Sequence, residues 1–190
     1  MQTALRCDYI SVDDYLSGEE VSVVKHEYFG GNAYAMAGAT TEHNQISMNI
    51  AFAFRTHLTG KRCRVFMSDV KVRLSAAGED AFYYPDVMVG CDPRDTNQLY
   101  LRLPKVLVEV SSESTERLDR GEKRLAYQAL ESLEEYMIVA QDRAEVTIFR
   151  RSNKWVPETT AGLDQKVSLQ ALDLVLPLST VFEGVIKANP

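Results

Sequence analysis

The sequence predicts an α/β (α+β) fold, on three observations. Residues Thr40 to Leu58 carry apolar side chains at spacings of three and four, the period of a helix with one buried stripe. Leu103 to Ser111 is apolar on both alternating faces, which is typical of a central strand covered on both sides. Glu134 to Ala140 and Glu145 to Arg151 are strand-like runs joined by a short polar turn, which predicts an antiparallel pair.

Size and charge narrow the function classes. A chain of 190 residues predicts a single domain spanning residues 1–190, and an apolar content of 45% is ample for a core. The net charge of −6 argues against a protein that binds polyanions over its whole surface, because phosphate binding needs concentrated lysine and arginine. The net charge does not exclude a local basic groove.

The cysteines and histidines argue against disulfides and zinc. Cys7, Cys63 and Cys91 are widely spaced and odd in number, which predicts reduced thiols in a reducing compartment. His26, His43 and His57 lack the spacing of a zinc site, so a structural zinc is not expected. No apolar run approaches the length that crosses a bilayer, and the start of the chain lacks a signal-like apolar region. We therefore expect a cytoplasmic protein with no membrane partner.

The first part of the chain predicts two helices around a hairpin. Ser11 is suited to cap a short helix that Gly18 ends. The Gly30–Gly31 pair between two short apolar runs predicts a tight hairpin, with Glu27 in its first arm. Thr40 or Thr41 is suited to cap the long helix, and His43 falls in its first turn.

The middle of the chain predicts three extended segments. Arg64 to Met67 and Val70 to Leu74 read as strands, the second alternating strictly. Phe82 to Gly90 reads as a strongly apolar strand that Pro85 interrupts. Proline is poorly tolerated inside a sheet, so it indicates a bend that aims Asp86 in a particular direction.

The last part predicts one helix, further strands and a closing helix. Asp119 to Glu131 reads as a helix with Asp119 as its cap, and Lys123 and Tyr127 share one of its faces. A third antiparallel strand is expected to begin at Lys154, and Ser179 to Phe182 is expected to start the closing helix.

Two carboxylates in apolar surroundings are the strongest functional signal. Asp86 and Glu109 each lie in a strand-like run, where an ionised group is costly unless it has a partner. Magnesium prefers such oxygen ligands and completes its octahedron with water and substrate phosphate. Asp86 and Glu109 are the natural pair of ligands, and the carbonyl of Val110 is a third. Lys123 is placed to orient a water molecule or to stabilise developing negative charge.

The order of these residues resembles a known family. The chain resembles the Uma-two family of restriction-endonuclease-like proteins, within the PD-(D/E)xK nuclease superfamily. The residues that carry the resemblance are Pro85-Asp86, the run from Glu109 to Thr115, Asp119, Lys123, Tyr127 and Glu135-Tyr136. The resemblance covers most of residues 10–155. It implies a restriction-endonuclease-like core, in which helices flank a mixed β-sheet.

The resemblance also implies an activity and a set of site residues. The superfamily's usual lysine lies two residues after the second acid, where this chain has Ser111; in the family it resembles, the lysine moves to the next helix, as Lys123. The implied activity is magnesium-dependent hydrolysis of DNA, with manganese as a substitute. Glu27 becomes an additional acid near the metal. Supporting roles are expected for His43, Asp119 and Tyr127, and DNA backbone contacts for Arg62, Arg64, Arg117, Arg120 and Arg124.

Less specific interpretations remain open at this point. Glu109 and Lys123 can form a buried ion pair without a metal. In these interpretations, Asp119 serves only as a helix cap, and Tyr127 serves only in packing. The arginines near the end of the long helix serve only to interact favourably with the helix dipole. The chain can also be a catalytically silent nucleic-acid-binding or assembly protein that keeps the nuclease fold. A homodimer is compatible with either function, since cutting both strands of a duplex requires two sites.

Overall fold

The computed structural model describes residues 9–76, 78–112 and 119–187. The helices are α1 (Val12–Val21), α2 (Thr41–His57), α3 (Arg124–Gln128) and α4 (Leu178–Val181), and a π-helical segment, Asp119–Lys123, leads into α3. The strands are β1 (His26–Phe29), β2 (Asn32–Ala35), β3 (Arg64–Met67), β4 (Lys71–Ala76), β5 (Glu79–Tyr83), β6 (Val87–Gly90), β7 (Tyr100–Leu101), β8 (Pro104–Ser111), β9 (Glu135–Ala140), β10 (Glu145–Arg150), β11 (Glu158–Ala161), β12 (Lys166–Leu169) and β13 (Leu174–Pro177). In these ranges no helix is long and apolar enough to cross a membrane.

The strands form two large sheets and a small hairpin. The first sheet has the order β2-β1-β5-β4-β7, and the second has the order β11-β10-β9-β8-β6-β3. β12 pairs with β13 in a separate two-stranded sheet. The pairs β4–β7 and β8–β9 are parallel, whereas the other pairs are antiparallel. The predicted fold class, an α+β fold with mixed sheets flanked by helices, is therefore confirmed.

The run around Pro85 passes from one sheet to the other. The sequence predicts one strand from Phe82 to Gly90, but β5 ends at Tyr83 in the first sheet and β6 begins at Val87 in the second. Proline has no N–H group to donate to a ladder, so the sheet ends where Pro85 stands. The predicted bend is confirmed, and it sets Asp86 immediately before the first residue of β6.

Helix α2 covers the face of the second sheet near this bend. Thr40 caps the helix as predicted, because its hydroxyl accepts the N–H of His43 at 3.2 Å. Ile46, Ile50 and Phe54 are fully buried and belong to one core cluster with residues of β6, β8 and β9. The buried stripe thus fixes α2 over β6 and β8, with its N-terminus towards Asp86.

A second core cluster joins the two sheets through α3. It contains Val72 of β4, Leu107 of β8 and Tyr127 of α3, each fully buried. Burial of this kind stabilises by about 25 cal/mol for each Å² of apolar surface removed from water. The cluster therefore holds α3 against both sheets, next to the strand that carries Glu109.

The two ends of the chain differ from their predictions. Gly18 does not end α1, which continues to Val21 and takes its cap from Ser11 as expected. No strand begins at Lys154, because residues Arg151–Asn153 form a 3₁₀ turn and Lys154 and Trp155 adopt left-handed φ angles of 60° and 62°. The expected closing helix is a single turn, Leu178–Val181, which follows the β12–β13 hairpin.

Cys63 and Cys91 form a disulfide, so the expectation of reduced thiols is wrong for these two residues. Strands β3 and β6 are antiparallel with Arg64 opposite Gly90, and continuing the pairing by one residue brings Cys63 opposite Cys91. Their Cα atoms are 4.1 Å apart. Spacing along the sequence gave no sign of this pairing, which depends on strand register.

Removing this disulfide is expected to lower the free energy of unfolding by about 2–4 kcal/mol, because the bond closes a loop in the unfolded chain. The residues are separated by 28 positions. Urea unfolding of the Cys63→Ser/Cys91→Ser double variant measures the change. Cys7→Ser is the control, because Cys7 takes no part in this bond. Equal unfolding curves for the double variant and the wild type would contradict the prediction.

Candidate active site

Two antiparallel strands bring the segments of the predicted acids together. Strand β6 begins at Val87, opposite Val108 of β8, so Asp86 lies one residue before this ladder and Glu109 one residue after it. The backbone of Val110, the residue after Glu109, is in hydrogen-bond contact with the Asp86 carboxylate. The strand pairing therefore sets both acids at the same end of β6 and β8.

Asp86 is held by one backbone group and one histidine. The backbone N–H of Val110 donates to Asp86 Oδ2 at 2.7 Å. His43 Nε2 lies 3.2 Å from the same oxygen. His43 reaches Asp86 because the Thr40 cap starts α2 at this end of β6. This contact with Asp86 is the one through which His43 would play its predicted supporting role.

Lys123 bridges the other two acids. Its Nζ lies 2.8 Å from Glu27 Oε1 and 3.4 Å from Glu109 Oε1. The side chains of Lys123 and Glu109 are buried and that of Glu27 is half-buried, with exposed fractions of 9%, 6% and 15%, respectively. Glu27 arrives from β1, Glu109 from β8 and Lys123 from the π-helical segment, so three distant parts of the chain meet here.

Aromatic side chains close this cluster on one side. The Tyr127 hydroxyl donates to Glu109 Oε1 at 2.8 Å, so this predicted residue contacts the site directly. The ring of Tyr83 packs edge-on against Tyr127, and Lys123 Nζ lies 5.6 Å from the Tyr83 ring centre. Burial, reinforced by the negative charges of Glu109 and Glu27, raises the pKa of Tyr127 well above its usual value. Tyr127 therefore remains a hydrogen-bond donor to Glu109 at any neutral pH.

The free energy of unfolding is expected to fall steeply above about pH 10, where the tyrosines of the unfolded chain ionise. Burial raises the pKa of Tyr15, Tyr84 and Tyr127, so the folded protein keeps protons that the unfolded chain releases. Each such tyrosine contributes stability that is complete below pH 10 and is lost at up to about 1.4 kcal/mol per pH unit above it. Urea unfolding between pH 8 and 11 measures the slope. Tyr127→Phe lacks the hydroxyl proton that the folded state retains, so its free energy of unfolding should fall less steeply with pH. A fall as steep as that of the wild type would contradict this assignment.

Glu19 is a positioning residue that sequence reasoning missed. Its carboxylate accepts the N–H of His26 at 3.2 Å, lies 2.8 Å from His26 Nδ1, and accepts the Tyr84 hydroxyl at 2.7 Å. His26 precedes Glu27, and the N–H of Tyr84 in turn donates to Glu27 Oε1 at 3.4 Å. Glu19 thus ties the strand of Glu27 to the segment that leads to Asp86. In the sequence it is one of several acids in α1, with no signal to single it out.

The donor set fits a divalent cation. Glu27, Asp86 and Glu109 supply three carboxylates against one lysine and one histidine among the residues that the structure describes. In the same ranges no three His, Cys, Asp or Glu side chains are grouped as a metal site. Magnesium commonly takes only one or two protein carboxylates, with water and substrate phosphate filling the remaining positions. The chemistry of the Asp86–Glu109 pair meets that requirement.

Two of the predicted arginines, Arg62 and Arg64, lie away from the acids. Arg64 is opposite Gly90, at the end of β6 away from Asp86, which is about 14 Å along the strand. Its guanidinium donates to the carbonyl of Asp95 at 3.3 Å. Hydrogen bonds from Arg94, with a smaller contribution from the charge of Arg62, lower the pKa of Asp92, so Arg62 lies near that carboxyl.

The other predicted residues lie on the segment after β8. Arg124 is next to Lys123, with its guanidinium 5.5 Å from the ring centre of Phe149. Arg117 lies outside the described residues, as do the side chains of Asp119 and Arg120.

The chain matches one family model and two related proteins. The model of the Uma2 family, described as "Putative restriction endonuclease", matches residues 12–179. "Uncharacterized protein slr1290" of Synechocystis sp. (strain ATCC 27184 / PCC 6803 / Kazusa) is 32% identical over 179 residues, which is 93% of this chain and 93% of that protein. "Uncharacterized protein sll1609" of the same strain is 30% identical over 135 residues, which is 70% of this chain and 75% of that protein.

A solved structure shares the fold. A "putative nuclease belonging to DUF820" from Anabaena variabilis ATCC 29413 superposes with a TM-score of 0.74, over 93% of this chain and 99% of that one. Sequence identity over the match is 16%, so the likeness is one of fold.

Proposed function

Because the chain belongs to the Uma2 family, described as "Putative restriction endonuclease", we propose that it is a magnesium-dependent endonuclease that hydrolyses phosphodiester bonds of DNA. The observation that carries the proposal is the meeting of four groups from distant segments. Asp86 accepts the N–H of Val110, the residue after Glu109, and Lys123 bridges Glu109 to Glu27. A buried arrangement of this kind is costly to maintain, which favours a chemical role over a purely structural one.

Asp86 and Glu109 would hold the magnesium ion, together with the carbonyl of Val110. When bound, the ion would stabilise negative charge on the phosphate and make a bound water a better nucleophile. Manganese would serve as a substitute, because it favours the same oxygen ligands. The Val110 N–H and His43 fix the Asp86 carboxylate, and the Tyr127 hydroxyl fixes that of Glu109. Both carboxylates are thereby oriented before a ligand arrives.

Lys123 would act on the reacting groups themselves. Its ammonium group would orient the attacking water, or stabilise the charge that develops on the phosphate oxygens. Glu27, 2.8 Å from Nζ, holds the lysine in place. The side chain is nine-tenths buried, so water competes weakly for its donors.

DNA would approach over the segment that carries Lys123. Arg117, Arg120 and Arg124 flank the lysine in the sequence and are the proposed contacts with the phosphate backbone. Arg62 and Arg64 lie at the far end of β6 and would meet only a duplex that runs along the sheet. Binding that depends on few such contacts would weaken moderately with added salt.

Incubation of supercoiled plasmid, linear duplex, single-stranded DNA and RNA with the purified protein tests the proposal. We expect cleavage of at least one DNA substrate in magnesium or manganese, and none with a chelator. Equal product with and without the chelator would contradict metal dependence. Cleavage confined to RNA would overturn the assignment of DNA as substrate.

One observation favours a second candidate, a catalytically silent nucleic-acid-binding or assembly protein. Lys123 already lies within 3.4 Å of both Glu27 and Glu109, so it partly neutralises the cluster without any metal. Calorimetric titration with magnesium separates the two functions. Binding at millimolar concentration supports the nuclease, whereas no heat even with DNA present supports the silent protein.

A further inference from the structure

Tyr34 lies beside the acid cluster but makes none of its contacts. In the β1–β2 ladder it is directly opposite Glu27, so the two side chains share one face of the first sheet. The Glu27 side chain is 15% exposed and contacts Lys123, whereas Tyr34 as a whole residue is 55% exposed. In the part of the chain that the structure describes, the Tyr34 side chain has no hydrogen bond and no ring contact. A large aromatic ring is therefore exposed next to a recessed charged site.

The other face of this hairpin is covered by α1. Tyr28 follows Glu27 in β1, so its side chain points the opposite way. It stacks on Tyr15 of α1 with 4.8 Å between the ring centres, and its hydroxyl donates to the carbonyl of Ile10 at 2.8 Å. The described start of the chain thus lies against the Tyr28 face. The face that carries Glu27 and Tyr34 is the one that holds the candidate site.

Tyr83 is the ring on the other side of Glu27. Strand β1 lies between β2 and β5 in the sheet, and Tyr83 is the last residue of β5. Its ring packs edge-on against Tyr127 and lies 5.6 Å from Lys123 Nζ. Burial raises the pKa of Tyr83, the charge of Glu27 raises it further, and Tyr34 contributes less, so the Tyr83 hydroxyl lies near both groups. Of these two rings, Tyr83 is held by packing, whereas Tyr34 is free to contact a ligand.

The charge of the chain and the exposed ring together indicate the class of ligand. The net charge is −6 and Lys123 already contacts two acids, so attraction of the phosphate backbone alone is weak here. In a duplex the flat faces of the bases are stacked on one another, out of reach of a protein ring. At an unpaired nucleotide they are accessible, and stacking on an aromatic side chain contributes about 1–3 kcal/mol per base. The Tyr34 ring therefore suits an unpaired base.

We infer that Tyr34 is a stacking site for an unpaired base, and that the substrate class is DNA with a single-stranded or unpaired nucleotide at the cleaved position. The base lies on the Tyr34 ring, and its phosphate reaches Lys123 one strand further into the sheet. Stacking does not read the edge of a base, so all four bases are accepted. The substrate class rests on the proposed nuclease function, whereas the stacking site itself does not.

Equilibrium binding of labelled DNA, followed by fluorescence anisotropy, tests the stacking site. The probes are a single strand of about 20 nucleotides and the matching duplex, with calcium in place of magnesium because calcium also takes oxygen ligands. We expect the wild type to bind the single strand more tightly than the duplex. Tyr34→Ala is expected to raise the dissociation constant for the single strand by about 5- to 150-fold, with little change for the duplex. Tyr34→Phe keeps the ring and is expected to bind like the wild type.

Phe52→Ala is the matched control. Phe52 is also an exposed ring, at 73%, but it lies nine residues after His43 on α2, about 14 Å along the helix. We expect this variant to bind both probes like the wild type. A wild type that binds the single strand no more tightly than the duplex overturns the inference. Tyr34→Ala that weakens both probes alike, or no more than Phe52→Ala does, also overturns it.

A fluorescent base reports the stacking itself. The fluorescence of 2-aminopurine falls when the base stacks on an aromatic ring, so a single strand that contains it is expected to lose fluorescence on the wild type and on Tyr34→Phe. The loss is expected to be smaller on saturation with Tyr34→Ala. Equal losses on the three proteins would show that the base stacks elsewhere and would overturn the assignment to Tyr34.

Cleavage with magnesium tests the substrate class. We expect a duplex with one unpaired nucleotide to be cut beside that nucleotide, faster than a continuous duplex of the same sequence, and Tyr34→Ala to remove this preference. A continuous duplex cut equally fast by the wild type overturns the substrate class while the nuclease function stands. Absence of all cleavage, together with single-strand binding that depends on Tyr34, overturns the nuclease function and supports the stacking site.

Discussion

Asp86→Asn is expected to lower metal-dependent DNA cleavage by about 10³-fold, the size of effect seen when a preorganised electrostatic group is removed. Asparagine keeps an oxygen that can accept the Val110 N–H, now at 2.7 Å from Asp86 Oδ2. The change therefore removes a negative charge and a metal ligand while the local hydrogen bond survives. We expect weaker magnesium binding by calorimetry and an almost unchanged melting temperature.

Asp142→Asn provides the comparison for that variant. The Asp142 carboxylate is also held by a neighbour, Arg143 at 3.1 Å, but its side chain is 71% exposed. It lies in the turn between β9 and β10, just beyond the pairing of Ala140 with Ser111, where its exposed carboxylate contacts Arg143, and we expect wild-type cleavage from this variant. If Asp86→Asn cleaved DNA at the rate of Asp142→Asn, Asp86 would have no part in the reaction.

Glu135→Ala is expected to destabilise the protein by about 3–5 kcal/mol, because it removes the buried carboxylate that pairs with a buried arginine. Glu135 is 1% exposed and Arg150 is 4% exposed, and Arg150 Nε donates to Glu135 Oε1 at 2.9 Å. The same carboxylate accepts the N–H groups of Gln170 at 2.9 Å and Ala171 at 3.2 Å. It thus fastens the segment after β12 to the second sheet, and a drop of roughly 10 °C in melting temperature should follow.

The same arginine supplies a matched control. Glu158 also pairs with Arg150, with 2.5 Å between Oε2 and Nη1, but its side chain is 54% exposed. Exposed pairs contribute about 0–1 kcal/mol, so Glu158→Ala should change the free energy of unfolding by no more than that. Urea unfolding measures both variants. Similar losses in the two would show that burial does not set the strength of the Arg150 contacts.

Much of the site could be predicted from local sequence. Asp86 and Glu109 were visible because a carboxylate in an apolar run is unusual, and Lys123 and Tyr127 because a four-residue spacing puts them on one helix face. The structure brings Glu109, Lys123 and Tyr127 into hydrogen-bond contact. Their chemical roles remain predictions. The Gly30–Gly31 hairpin and the Thr40 cap were equally local and are confirmed.

Other features could not be predicted because they depend on how distant strands align. The contact of Asp86 with Val110, next to Glu109, and the bond between Cys63 and Cys91 follow from the register of β6 with its two neighbours. The positioning role of Glu19 depends on the tertiary contacts of α1 with His26 and Tyr84, which the sequence does not indicate. A shift of one residue in any of these pairings would turn the side chains to the other face of the sheet.

The sequence by itself therefore determined the fold class, the positions of most helices and strands, and which ionisable residues stand out from their surroundings. Periodicity and capping act between residues at most a few positions apart, so one sequence is enough to see them. The tertiary structure alone decided which of these residues meet, that Pro85 carries the chain from one sheet to the other, and that Arg64 lies away from the acids. Register and packing depend on contacts between distant parts of the chain, so no local sequence pattern specifies them.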